Sequence, residues 1–411
     1  MISDATGGLP RYCHPYHGGW DVARIALDIP ESHILFVCPV SCARIISLNA
    51  VKDGYKDRIS VLALTEDDIV SGSYEEKTIE GAVELLGALT PRPKALILYV
   101  SCIDAMLGND HTFQTEEIMR QYPDLNCFVL KMCPITRYSG DLPLVALQHD
   151  MYEPLPKEKV PHEKTVAFLG SNIAYSEDCE LIRLLKDNGY RPLHIQAASS
   201  YEDYLAVRAS SLNLCLMPFA SSAGKMLMER FETPMLPYFA KYDFAAIRAT
   251  LEALAGALSL PLPDLDRMEA ETKAYLTEIA GKIHGTPLVI DSTATLFPND
   301  LKKTLESCGF SVRRIYADDI RRTPPDVDSG SIVLPAKRAY KKQEDVIALG
   351  MAASSFEGAK MTAGLFYDNG WWGYDGLKRM GDAILQAYNE GCSSTELKEL
   401  QRKDPYQEAA T

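Results

Sequence analysis

Short runs of apolar residues recur along the chain from residue 33 onward, and segments with helical spacing separate them. Several of these runs are apolar throughout, which is typical of strands covered on both faces of a parallel sheet. The pattern predicts three groups of strands: 33–39, 58–64, 94–101 and 126–134; then 164–171, 191–197, 212–218 and 234–239; then 286–292, 311–317, 331–336 and 359–368. Alternation of strands with helices predicts an α/β protein.

Helical spacing is clearest at 76–89, 179–189 and 300–309, and the last two segments end at a glycine, a common helix stop. Two longer helices are expected at 243–258 and 267–283, between the second and third groups of strands.

The grouping predicts three Rossmann-like α/β domains with parallel sheets around a central cleft. We expect an N-terminal domain over 1–155, a middle domain over 156–285 and a C-terminal domain with a terminal helix over 286–411. The stretch 153–164, rich in proline and charge, is expected to link the first two. Ligands of open parallel sheets lie beyond the carboxyl ends of the strands, so the site is expected there.

The charge balance narrows the possible partners. Lysine and arginine number 42 against 56 aspartates and glutamates, a net charge of −14, and the chain has no basic run. Nucleic acid is therefore not an expected partner. The first residues lack the features of a secretory signal, and no window approaches the ~20 apolar residues of a membrane span. We expect a cytoplasmic protein without a membrane partner.

Three of the ten cysteines stand at positions suited to a ligand site. Cys13 lies in an N-terminal segment expected to be irregular, Cys38 ends the first predicted strand, and Cys102 ends the third. Thiolates are the soft ligands that iron–sulfur clusters need. Three from one chain leave a cluster one ligand short, so the fourth would come from a partner chain. Their separations of 25 and 64 residues match no local metal motif, and burial as core thiols stays the alternative.

Segments in a fixed order extend over most of the chain and resemble the nitrogenase component 1 type oxidoreductases. They are LTEDDIVSG (64–72), SCIDAMLGND (101–110), KMCPITRYSGD (131–141), ERFETPML (229–236) and WWGYDGLKRMGDAI (371–384). The fourth is similar to the family's E-R/K-F/Y-G-I-P segment, and the fifth to its G-Y-D/E-G turn before the final helix. The family includes nitrogenase component 1 subunits and the related protochlorophyllide, chlorophyllide and nickel-tetrapyrrole reductases.

The resemblance implies that Cys13, Cys38 and Cys102 hold an iron–sulfur cluster, either 4Fe–4S or P-cluster-like, shared with a partner subunit. That subunit would be homologous or a second copy. The implied function is a nitrogenase-like oxidoreductase that receives electrons from an ATP-dependent iron protein and reduces a substrate in the cleft, with ATP bound only by the iron protein. The alternative is a non-catalytic scaffold on which a metal cluster or cofactor is assembled or carried.

The sequence departs from dinitrogen-reducing subunits at the positions that hold their active-site cofactor. By the resemblance, the cysteine position falls at Met217 and the histidine position near Ala363. Cys215, two residues before Met217, could project from the same strand face, but no histidine follows His284. We therefore expect a reductase that does not reduce dinitrogen, with a cavity for a tetrapyrrole, another reducible organic substrate or a cofactor precursor.

The remaining candidates have two readings each. His14 and His17 flank Cys13 and could tune a cluster or lie in solvent, and Arg137 could steer an anionic substrate or pair within the core. The other cysteines, Cys42 among them, are expected to be structural thiols.

Two segments outside the cysteine set also have alternatives. FLGSNIAYSED (168–178) could bind phosphate at a helix start, but it lacks the glycine and lysine patterns of such sites, which favours a turn with a helix cap. Trp371 and Trp372, with Tyr374, could line a pocket for a planar substrate, although packing is the favoured role. The sequence assigns no catalytic residue and no proton donor.

Overall fold

A computed structural model describes residues 10–12, 22–131, 143–318, 332–333 and 344–391. Within these ranges the strands, in chain order, are β1 Pro10–Tyr12, β2 Ser32–Pro39, β3 Ile59–Leu64, β4 Ala95–Val100, β5 Asn126–Lys131, β6 Glu163–Leu169, β7 Arg191–His194, β8 Ser210–Cys215, β9 Met235–Pro237, β10 Leu288–Asp291, β11 Val312–Asp318, β12 Ile332–Val333, β13 Glu344–Leu349 and β14 Ala359–Ala363.

Helices alternate with these strands. They are α1 Val22–Ala26, α2 Val40–Lys52, α3 Glu66–Val70, α4 Tyr74–Ala88, α5 Cys102–Leu107, α6 Thr112–Gln121, α7 Pro143–Asp150, α8 Glu180–Asp187, α9 Tyr201–Leu205, α10 Ser221–Phe231, α11 Phe244–Leu258, α12 Leu265–Lys282, α13 Pro298–Ser307, α14 Met351–Glu357 and α15 Gly373–Glu390.

The described strands form three parallel sheets, in the orders β3-β2-β4-β5, β7-β6-β8-β9 and β12-β1-β11-β10-β13-β14. This confirms the predicted α/β fold class with parallel sheets. The chain groups into two compact units. The two-sheet unit comprises residues 16–174 and 189–239, and the one-sheet unit comprises residues 1–15, 175–188 and 240–411.

In the two-sheet unit, alternate residues of the first sheet enter different cores. Ile34, Phe36 and Cys38 of β2 face a core that also contains residues of the second sheet, such as Leu169 and Cys215. The intervening Leu35 and Val37 instead pack with residues of α4 and α6 on the opposite face of the first sheet. Two buried faces explain why these strands read as continuous apolar runs. The first two sheets thus share one core. The proposed domain boundaries near residues 155 and 285 stay predictions.

The one-sheet unit is assembled from distant parts of the chain. Its sheet includes β1, whose backbone pairs with β11 and β12, so the N-terminal segment expected to be irregular contains a short strand. Helix α8, which follows β6 of the other unit, contacts the final helix α15. Strand β13, which lies between β10 and β14, was not predicted, because its apolar run 346–349 is only four residues long and follows the charged Glu344 and Asp345.

Several predicted boundaries change. The segment 191–197 is a strand only to His194, and a 3-10 turn covers Ile195–Ala197. The predicted strand 331–336 is described only at β12, and its other residues lie outside the described ones. Helix α10 ends at Phe231, and the next residue, Glu232, adopts a left-handed conformation with φ of 62°. Among the described helices, none combines the length and the apolar character that a membrane span needs.

Two histidines are buried as neutral rings in the two-sheet unit. Burial, and then the nearby Arg58 charge, lower the pKa of His33 to about 4, and its Nε2 shares a hydrogen bond of 2.9 Å with Ser60 Oγ. Burial also lowers the pKa of His194 to about 4, and its Nδ1 accepts from the Gln196 backbone N–H at 3.2 Å. An accepting nitrogen must be unprotonated, so this bond is lost when the ring becomes charged.

We expect stability to fall as the pH drops from about 6.5 to about 4, because the unfolded histidines bind protons in this range and the folded ones do not. Each histidine should contribute roughly 3 kcal/mol to the fall. The measurement is urea unfolding across this range for wild type and for a His33→Gln/His194→Asn variant. The variant should show a shallower slope, whereas the exposed His162→Gln control should keep the wild-type slope; equal slopes in all three would contradict the prediction.

Candidate functional site

Cys38 and Cys102 lie at neighbouring strand ends of the first sheet. Strands β2 and β4 pair in parallel with Val37 opposite Val100. Cys38 follows Val37 directly, and Cys102 lies two residues beyond Val100 as the first residue of α5. Paired strands run about 4.8 Å apart. The two thiols therefore belong to the same carboxyl edge of one sheet, where ligand sites of parallel sheets form.

Cys38 is a fully buried thiol among apolar and aromatic side chains. It has no exposed surface and packs in the same core as Phe36, Ile46 and Tyr99. Burial, and then the neighbouring Cys42, raise the pKa of Cys38 to about 12, against a hydrogen bond from the Ala43 backbone. Without a metal the side chain is thus a neutral thiol at physiological pH. Coordination to a metal would require it to lose this proton.

Cys102 has a different environment, because it begins a short helix at the protein surface. It is half-buried, and the helix α5 runs only from Cys102 to Leu107 before Gly108 ends it with φ of 68°. Ala105, Met106 and Leu107 are exposed. A sulfur at this position is accessible to a second molecule in a way that Cys38 is not.

The third predicted ligand, Cys13, lies outside the described residues, directly after β1. His14, His17 and Arg137 also lie outside the described residues, and their assignments stay predictions. Within the described ranges no group of three or more histidine, cysteine or acidic side chains could hold a metal ion. Cys38 and Cys102 fit two positions of a thiolate donor set, and a complete set requires donors beyond the described residues.

A buried polar cluster that the sequence did not reveal lies immediately behind Cys102. Its centre is Asp104, whose Oδ1 accepts from Tyr74 Oη at 2.9 Å, Asn109 Nδ2 at 3.1 Å and His111 Nε2 at 2.7 Å. We call Tyr74, Asp104, Asn109 and His111 the Asp104 cluster. Asp104 and His111 are both buried. A signal existed in the sequence, since an acidic residue, an amide and a histidine follow Cys102 within nine positions.

The Asp104 carboxylate is ionised at neutral pH. Burial alone would raise its pKa, but hydrogen bonding and charge from His111, with hydrogen bonds from Asn109 and Tyr74, hold the pKa below its usual value. An ionised carboxylate only accepts hydrogen bonds, so His111 donates from Nε2. Burial, and then the Asp104 charge, raise the pKa of Tyr74, which keeps its hydroxyl proton for donation.

Exposed apolar side chains follow the carboxyl ends of β2, β3 and β4 in the chain. Val40 follows β2, Val70 ends α3 after β3, and Met106 lies in α5 after β4. Their exposures are 67%, 87% and 76%, and Leu107 is also exposed. We call Val40, Val70, Met106 and Leu107 the apolar edge. Clustered exposed apolar residues at one edge of a sheet are typical of protein–protein contact surfaces.

Cys215 and Met217, near the expected cofactor position of the second sheet, are both covered by packing. Cys215 has no exposed surface and contacts the Ala220 carbonyl at 3.8 Å. A Cβ on Gly224 of α10 would lie 2.8 Å from its sulfur, so the helix covers the thiol closely. Met217 is also buried. Gly170 of the FLGSNIAYSED segment (168–178) packs closely against Met217 and Ala220.

That segment also differs from its predicted role. The next helix, α8, begins at Glu180, so Ser171 is not a helix cap, and its hydroxyl bonds to Ile173. A turn is present at residues 177–178, and Cys179, the residue before α8, makes no side-chain capping hydrogen bond, so the predicted cap is wrong.

The WWGYDG segment is the start of α15 in the one-sheet unit. Buried Glu180 accepts from the backbone N–H of Tyr374 at 2.7 Å and of Asp375 at 2.8 Å. Gly373 has φ of 66°, and a Cβ there would collide with Glu180 Oε1. Trp372 and Tyr374 are buried, which supports a packing role for this segment.

Comparison with known proteins gives a family. A family model described as nitrogenase component 1 type oxidoreductase matches residues 18–323. A solved structure titled nitrogenase Cp1 at pH 6.5 is similar with a TM-score of 0.64 and 13% identity, covering 96% of this chain and 93% of that one. A second, at pH 5, has a TM-score of 0.60 and 14% identity, covering 96% and 90%. No curated protein matches the chain.

Proposed function

Because the chain belongs to the nitrogenase component 1 type oxidoreductase family, we propose that it is a nitrogenase-like reductase subunit in which an iron–sulfur cluster relays electrons. Cys13, Cys38 and Cys102 hold the cluster, and a partner subunit completes its coordination. The observation that supports this most directly is the position of Cys38 and Cys102 at adjoining strand ends of one sheet.

The two thiols have complementary roles in this proposal. When bound, an iron–sulfur cluster accepts and donates single electrons at a potential set by burial and hydrogen bonding. Cys38 supplies a ligand from the apolar interior and excludes water from one side. Cys102 supplies a ligand from the surface, where a second chain can approach. Iron–sulfur clusters are general in this family, and this chain's cluster type stays either 4Fe–4S or P-cluster-like.

The apolar edge supports a partner at this surface. Val40, Val70 and Met106 stand in solvent around the carboxyl ends of β2, β3 and β4. Burying such side chains against another chain is favourable by about 25 cal/mol for each Å² of apolar surface. The partner is a homologous subunit or a second copy of this chain, and an ATP-dependent iron protein delivers the electrons.

Dinitrogen is not the substrate in this proposal. Met217 and Ala363 stand where a cofactor-holding cysteine and histidine are expected, and both are buried apolar residues. Cys215 does not replace them, because α10 packs against its sulfur. The substrate is a reducible organic molecule such as a tetrapyrrole, or a cofactor precursor, bound in the predicted cleft.

The test is electron transfer to the anaerobically purified protein from a nitrogenase-type iron protein of the same organism. We expect the electron paramagnetic resonance signal of the cluster to change only when iron protein and ATP are both present, at a rate at least about tenfold above the ATP-free control. Oxidation of the cluster on adding a tetrapyrrole would then support turnover. A cluster that is present but insensitive to iron protein and ATP would overturn electron relay and favour the scaffold.

A further inference from the structure

We propose that the Asp104 cluster positions Cys102 and thereby fixes the geometry of the metal ligand, an inference that rests on the proposed function. Asp104, His111 and Tyr74 would be positioning residues, because they act on the site through the helix that bears Cys102. The proposal concerns the way in which α5 is held in place.

Helix α5 is short, and half of its residues are exposed. It has six residues, and its single buried residue is Asp104. Isolated helices of this length are unstable in water, so tertiary contacts must fix them. The helix cap, Ser101, makes no side-chain capping hydrogen bond. Most helices of α/β proteins bury an apolar stripe, whereas the fully buried side chain of α5 is a carboxylate.

The donors to this carboxylate come from both sides of α5. Tyr74 begins α4, 30 residues earlier in the chain, and His111 immediately precedes α6. Asn109 lies just beyond the glycine that ends α5. The carboxylate thus ties α5 to the starts of two longer helices. Three hydrogen bonds of 2.7 to 3.1 Å converge on one oxygen of this buried side chain, so the tie restrains α5 from several directions.

The polar character of the anchor has a consequence for the surface. Met106 and Leu107 of α5 remain exposed because they are not needed to hold the helix. The same short helix can therefore present a metal ligand and an apolar contact surface together. An apolar anchor would draw these residues inward.

Asp104→Asn is the test, because it preserves the shape of the side chain and removes the charged acceptor. The neutral amide oxygen would be a weaker acceptor for the three donors that converge on Oδ1, and the amide nitrogen would add N–H donors at the Oδ2 position. The matched control is Asp110→Asn, which makes the same charge change at an exposed residue bonded locally to Thr112. Tyr74→Phe, which deletes one donor and keeps the carboxylate, gives a milder change should Asp104→Asn not fold.

The first readout is amide hydrogen exchange of residues 102–107 in the metal-free protein. We expect exchange to accelerate by about tenfold or more in Asp104→Asn and by less in Tyr74→Phe, with no change in Asp110→Asn. Unchanged exchange in both Asp104→Asn and Tyr74→Phe would overturn the proposal, whether or not the protein binds an iron–sulfur cluster.

The second readout is the electron paramagnetic resonance spectrum and midpoint potential of the protein purified with its cluster. Asp104→Asn should alter both, and Asp110→Asn should alter neither. Wild-type protein without any cluster would refute the proposed function while the exchange result still decides the positioning role. If the iron–sulfur cluster gives the same spectrum in wild type and in Asp104→Asn, the Asp104 cluster does not fix the geometry of the Cys102 ligand.

Discussion

Replacing Cys38 with serine is expected to abolish the bound iron and acid-labile sulfide of the anaerobically purified protein. A serine hydroxyl is a hard, weakly acidic donor and does not substitute for a thiolate on iron. Because Cys38 is fully buried, no other described side chain can move into its place without opening the core. The measurements are iron and sulfide analysis and electron paramagnetic resonance on the purified variant.

The control must separate loss of a ligand from loss of a buried sulfur. Cys127 is also buried in the first sheet, and burial also raises the pKa of its thiol. It stands near the amino end of β5, opposite Leu96, far along the sheet from the edge that contains Cys38. Cys127→Ser should keep the wild-type iron content. Full iron content in Cys38→Ser, or equal losses in both variants, would refute ligation by Cys38.

Replacing Gly373 with alanine is expected to destabilise the protein by about 4 kcal/mol, the largest loss of stability that we predict for a single substitution. Its φ of 66° is left-handed, which an alanine adopts only with strain. The added Cβ would also collide with the Glu180 carboxylate and displace it from the first turn of α15. Two backbone N–H groups would then lose their acceptor. Urea unfolding should show a lower midpoint with a similar slope.

Two further variants isolate the collision. Gly285 has φ of 75° but nothing within 4 Å of its would-be Cβ, so Gly285→Ala should cost only the backbone strain of about 1–2 kcal/mol. Glu180→Ala removes the group with which the Cβ would collide. The double variant should therefore lose less stability than the sum of the losses in Glu180→Ala and Gly373→Ala. Equal losses at both glycines, with full additivity, would show that the Glu180 contact does not matter.

The proposed role of Cys102 shows where sequence reasoning stopped. Its place at a strand end could be predicted, because the apolar run 94–101 ends there and the following residues favour a loop. The anchor of its helix could not be predicted, because Tyr74 and Asp104 are far apart in sequence and their hydrogen bond leaves no periodic pattern. The sequence alone does not distinguish a buried aspartate from an exposed one.

The GYDG segment gives a second example. Its likeness to the family placed it at the start of the final helix, and α15 indeed begins at Gly373. The reason for its first glycine comes from Glu180, 194 residues before Tyr374 in the chain. No sequence pattern connects these two positions. The contact depends on α8 joining the one-sheet unit, which the strand order along the chain does not reveal.

The sequence by itself determined the α/β class, most strands, the family resemblance and the three candidate cysteines. These follow from apolar periodicity and from motifs in a fixed order, both of which are local along the chain. Only the tertiary structure decided that β1 and α8 join the third sheet's unit, that Cys38 is buried while Cys102 is half-exposed, and that a carboxylate anchors α5. Those features depend on which distant segments pack together, and packing energy is spread over many contacts that no short stretch of sequence encodes.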